Sequence, residues 1–124
     1  DKTIASAKTV PELKGMAESL QSALHTLIQS TQEAWSTGNA HETLANATPY
    51  LRAFGHVTLA WIWLELASTS NQLLSDKAHD TDFLKGKLAA AHYFFDFELP
   101  LIHHWLTPVR HRNAICNQMN PNWF

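Results

Sequence analysis

The chain lacks the staples that small folds use. Among its 124 residues there is one cysteine, Cys116, so no internal disulfide can form. A lone thiol fits a reducing compartment better than a secreted scaffold, and a cytoplasmic location is expected. The four glycines, at positions 15, 38, 55 and 86, stand singly, which excludes a glycine-rich phosphate loop. Neither sign of charge dominates: nine Lys and Arg face eleven Asp and Glu, for a net charge of −2. Without a basic field, neither a nucleic-acid nor an anionic-membrane partner has electrostatic support. The longest uncharged apolar run, Val57 to Leu64, is closed by His56 and Glu65. It falls far short of the roughly 20 residues a membrane span requires, so no span is expected.

What is present is helical periodicity. Thr9 reads as an N-cap with Pro11 near the first helical position, and Leu13, Met16, Leu20, Leu24, Leu27, Thr31 and Ala34 follow in steps of three and four. That helix is expected to end at Trp35, with Gly38 as its C′ residue. Residues 39–48 read as a short lead-in helix, with a break at Thr48 or a kink at Pro49. The second long helix, Tyr50 to Leu74, joins two apolar stripes, one through Tyr50, Phe54, Val57, Trp61 and Leu64 and one through Leu59, Ile62 or Trp63, Leu66 and Leu73. A helix apolar on most sides is expected to be central and buried, with Trp61 in the core and Gly55 where two helices approach closely.

After a polar turn over 75–80, Asp80 or Thr81 caps a third long helix with stripes through Leu84, Leu88, Ala91, Phe95, Leu99 and Ile102, and through Phe83, Ala90, Phe94, Phe97, Leu101 and Trp105. Pro100 is expected to kink it. From Thr107 onward the chain reads as an irregular tail with a short turn of helix over 111–118 and a docked aromatic end. The expected fold is all-α: an up-and-down bundle of three long helices plus a short lead-in helix and an irregular C-terminal tail. Residues 1–124 form a single domain, large enough to bury roughly two thirds of its unfolded surface. Asp1 to Lys8 carries no initiator methionine and no signal or transit pattern. It is expected to follow an upstream domain of a longer chain.

The candidates for chemistry are thin. His92, Asp96 and His103 fall at i, i+4 and i+11 and could share one side of the third helix, although Pro100 disturbs that register. The adjacent His103 and His104 point to different faces. No zinc-hydrolase or paired Glu-x-x-His motif occurs, and the expected metal set is none. Cys116, with His111 and Arg112 near in sequence, reads as a spectator thiol. His41-Glu42-Thr43-Leu44 has faint similarity to a histidine-phosphotransfer motif, but its leucine follows at three residues rather than two, and the lysine and glycine that should come after are missing.

The segment Ala47-Thr48-Pro49-Tyr50-Leu51-Arg52-Ala53-Phe54-Gly55-His56-Val57 with Ala60-Trp61, then Phe83, Lys87-Leu88-Ala89 and Ala91, then Phe94-Phe95 leading to Leu99-Pro100, resembles the C-terminal extension of long-subunit acyl-CoA dehydrogenases, including the methylmercaptopropionyl-CoA dehydrogenase type. The likeness runs along nearly the whole chain. It implies an accessory domain whose parent oxidises an acyl-CoA thioester to the 2-enoyl-CoA, with FAD and the catalytic glutamate in an upstream catalytic body. It implies no catalytic, cofactor-binding or metal residue here: neither Glu65 nor Glu98 is that base. The partners it implies are the parent's catalytic body and a second subunit in a homo-oligomer. Against this stand two alternatives, a stand-alone helical binding module and a histidine-phosphotransfer-like domain acting through His41. Five tryptophans and six phenylalanines exceed what one small core readily hides. Trp105, Trp123 and Phe124 are expected to face outward, with Trp35 or Trp63 next.

Overall fold

The computed structural model describes residues 2–76 and 80–124. Six α-helices follow in order: α1 Lys2–Lys8, α2 Pro11–Ala34, α3 Ala40–Leu44, α4 Ala47–Ser75, α5 Thr81–Tyr93 and α6 Leu101–Arg110. A π-helical turn, Phe94–Glu98, joins the last two, and 3-10 turns Ile115–Gln118 and Pro121–Trp123 finish the chain. No strand occurs among the described residues. The all-α bundle and its three long segments are therefore as the sequence predicts. The polar turn expected over 75–80 falls largely outside the described residues.

α4 is the axis of the fold, in contact with α1, α2, α5 and α6. Its inward seam is Ala53, Val57, Ala60, Leu64 and Ala67, steps of four and three that keep one face turned to the core. Ala53, Ala60, Leu64 and Ala67 are 0% exposed. Three alanines on a single seam let neighbouring helices approach closely, and the bulk is supplied from outside α4. Leu13, Met16, Leu20 and Leu27 of α2 and Leu99, Ile102 and Leu106 beyond the π turn fill the space.

Several expectations are corrected. α4 is not buried on most sides: Leu51, Phe54, Leu59, Trp61, Ile62 and Leu66 are all exposed. Of the first expected stripe only Val57 and Leu64 are buried, and they share the inward seam with Ala53, Ala60 and Ala67 because close packing rewards fit rather than hydrophobicity alone. Trp61 is 48% exposed, so it is not a core residue. Gly55 is not a close-approach site, since a Cβ built there meets nothing within 4 Å. The third segment is also less buried than expected, with Phe83, Phe97 and Leu101 exposed.

The boundaries shift for local reasons. α2 starts at Pro11 with Val10, not Thr9, as N-cap; the Thr9 hydroxyl donates to the Ser6 carbonyl at 2.7 Å and closes α1 instead. α2 ends at Ala34, and Gly38, with φ +68°, serves the turn beyond rather than the C′ position. Asn39 caps α3, its Oδ1 accepting from the His41 and Glu42 amides. The break before α4 falls at Ala45–Asn46, ahead of Thr48. Pro49 sits in α4's first turn, where its missing donor costs little. Asp80 caps α5 as expected, accepting from Asp82 and Phe83. Pro100 ends the π turn, and α6 runs on through Pro108 into the region expected to be irregular.

The C-terminal tail is pinned at the α2–α3 end of the bundle. Arg110 donates from Nε and Nη2 to the two carboxylate oxygens of Glu33 at 2.6 and 3.0 Å, a bidentate pair. Arg112, itself at φ +49°, donates to the Glu33 carbonyl at 2.6 Å and to Ser36 Oγ at 3.0 Å. A guanidinium thus satisfies a terminal carbonyl of α2. Asn46 and Asn117 add donors to the carbonyls of Asn113 and His41, both at 3.0 Å. The hydrogen bonds from Arg110 hold the Glu33 carboxyl below its ordinary value, and the same contact holds Arg110 above its own.

Two outcomes follow for stability. Leu64→Ala empties a fully buried site and should cost about 2–5 kcal/mol, whereas Trp61→Ala should cost about 1–2 kcal/mol, and urea unfolding compares them directly. Because the folded Glu33 carboxyl titrates lower than the unfolded one, its contribution is present above the ordinary carboxylate range and disappears as pH falls through the folded value. Wild type should therefore exceed Glu33→Gln in stability at neutral pH and match it in acid.

Candidate functional site

Where α1, α2 and α4 meet, an apolar cleft of about 220 Å³ is lined by Ile4, Leu20, Leu24, Leu27, Phe54 and Val57, with Thr3, Thr58 and Trp61 also on its wall. The residues follow from the helix patterns. Leu20, Leu24 and Leu27 are one stripe of α2, while Phe54, Thr58 and Trp61 are the flank of α4 beside its buried seam. A polar chain runs from it: the Trp61 indole Nε1 donates to Thr3 Oγ1 at 3.1 Å, and that hydroxyl donates to Glu65 Oε1 at 3.0 Å. Trp61 and Glu65 lie one turn apart on α4, so this rail is built into its surface. It was missed in the sequence because Thr3 sits on a helix that the periodicity did not reveal.

The second cluster lies on the other flank of α4. His56 Nε2 is 3.5 Å from Glu98 Oε2, the latter carried on the π turn. The imidazole stands edge-on to Trp105 at 4.6 Å between ring centres and tilted against Phe94 at 5.7 Å. Trp105 is thereby half-buried against the core, which corrects its expected outward position. Trp63 is half-buried too, its ring 6.4 Å from Phe94. Trp35, Trp123 and Phe124 are exposed, so the tail's aromatic end is not docked as expected.

The sequence candidates do not converge. His92, Asp96, His103 and His104 are all exposed, with His92 on α5, Asp96 on the π turn, and His103 and His104 on α6 beyond Pro100. Among the described residues no group of three or more His, Cys, Asp or Glu side chains could hold a metal ion. Cys116 is an exposed free thiol. His41 lies on the five-residue α3, where the Asn117 side-chain amide is 3.3 Å from its Nδ1. Glu65 is exposed and engaged by Thr3, and Glu98 by His56, so each carboxylate has a structural partner.

The cleft suits an apolar group, for its lining is mainly aliphatic and aromatic and includes no Lys or Arg side chain. No helix among the described residues is long and apolar enough to cross a membrane.

No curated protein and no solved structure matches the chain. A family model described as "Acetyl-CoA dehydrogenase C-terminal like" matches residues 1–120, nearly the whole length, and the chain belongs to that acyl-CoA dehydrogenase C-terminal-like family.

Proposed function

We propose that the chain is a noncatalytic accessory domain of an FAD-dependent acyl-CoA dehydrogenase, of the methylmercaptopropionyl-CoA dehydrogenase-like type, and that its work is packing. The family match over residues 1–120 carries this reading. In it the parent's catalytic body, cytoplasmic in location, holds the flavin and the base that removes the α-proton, and oxidises the acyl-CoA thioester to the 2-enoyl-CoA. The residues of this chain supply surface. Among the described residues seventeen large apolar side chains are exposed, from Ile28 to Phe124, six of them on α4. Isolated apolar side chains on a surface need no explanation, but contiguous ones mark contact with another body. That body is the catalytic part of the parent, a second subunit, or the rim of the acyl channel.

The purified chain should be colourless and should not oxidise any acyl-CoA with an artificial acceptor. A flavin absorbance band copurifying at near-equal stoichiometry overturns the noncatalytic reading. Phosphorylation supplies the contrast: an acid-labile phosphate on His41 would favour phosphotransfer, and none is expected.

A further inference from the structure

α4 and α5 each carry two helical seams, one turned inward and one turned outward. On α4 the outward seam is Gly55, Leu59, Ile62, Leu66 and Thr69, in steps of four, three, four and three. On α5 and its π extension it is Phe83, Gly86, Ala90, Tyr93 and Phe97, in steps of three and four. This spacing is that of a helix facing another helix. Leu59, Ile62 and Leu66 are 43–44% exposed, and Phe83, Tyr93 and Phe97 are 57–64% exposed. The two helices are neighbours across the Trp63–Phe94 contact, which sets the middle of one seam close in height to the middle of the other.

The α4 seam reads nearly alike in either direction about its centre, and the α5 seam pairs like with like at its ends and small with large between them. Around Ile62, leucine mirrors leucine at 59 and 66, and small Gly55 mirrors small Thr69. About Ala90, Phe83 mirrors Phe97, and Gly86 mirrors the bulky Tyr93, a gap opposite a ring. The charges on the α5 flank oppose in the same way, with Lys85 near its start and Asp96 near its end. A two-fold axis across the helices would set each Lys85 beside the other copy's Asp96 and each Tyr93 over the other copy's Gly86. That is the self-complementarity an isologous contact requires. The aromatics, at roughly 200 Å² each, and the aliphatic residues together expose on the order of 600 Å², near the upper end of what a monomer keeps and close to the share one partner gives to a standard interface.

We infer that this face binds a second copy of the chain, α4 antiparallel to α4 and α5 antiparallel to α5, forming a four-helix contact about an axis near Ile62 and Ala90. This deepens the packing role proposed above by naming its face and its partner. Of the aromatics expected to face outward, Trp105 is half-buried, and Trp123, exposed on the terminal 3-10 turn, belongs to neither seam.

Sedimentation of the full chain over a concentration series should show a dimer. Phe97→Glu and, separately, Ile62→Glu should each weaken dimerisation by at least tenfold with unchanged helical circular dichroism, while Trp123→Ser should leave it unaltered. In a Cys116→Ser background, mild oxidation should link Ile62→Cys chains faster than Ser22→Cys chains on α2. Lys85→Asp should weaken the dimer several-fold, and Asp96→Lys added to it should restore it. A chain that remains monomeric at high concentration overturns the inference and assigns the face to another body, leaving the accessory-domain reading to the flavin and activity assay. A dimer indifferent to both glutamates, or equal oxidation at positions 62 and 22, overturns the assigned face.

Discussion

Everything in this bundle depends on how closely other helices can approach α4. Ala53, Ala60 and Ala67 remove bulk from one seam of a 29-residue helix, and each is wholly buried. The small side chains give up apolar area of their own. In return, leucines from α2 and the bulky residues beyond the π turn reach the same narrow space, where close contact on all sides yields dispersion that a looser fit forfeits. The remaining surface of α4 is thereby released from core duty. Its flanks carry the Phe54–Trp61 wall of the cleft and the His56 cluster, and its back carries the outward seam.

Much of the fold is legible from periodicity, and the exceptions have physical causes. The α2 stripe from Leu13 to Ala34 points inward as its spacing says, because that helix has only one apolar side. α4 has three, and period alone does not say which faces in. Hydrophobicity pointed to Phe54 and Trp61, whereas packing chose alanine and valine. α1 went unread because seven residues hold barely two turns and two buried positions, too few to establish a period. The chain from Thr107 read as irregular, yet α6 passes through Pro108 to Arg110, with Leu106 and Val109 buried on either side of it.

The candidate site was less legible than the fold. The cleft assembles Ile4, Leu20 and Phe54 from three helices, and the Thr3–Glu65 hydrogen bond spans 62 positions, so no local motif announces either. His56 and Glu98 are likewise joined only in three dimensions. What the sequence did carry was the ordered run of residues from Ala47 to Pro100 that marks the family, a signal of descent more than of chemistry.

α1 deserves to be seen as a cover held from outside itself. Its described residues are fixed by Ile4 and Ala7 in the core and by the Thr3 bonds to Trp61 and Glu65. The cleft between Leu20, Leu24, Leu27 and Phe54 thus owes one of its walls, Ile4, to an element that its neighbours hold in place.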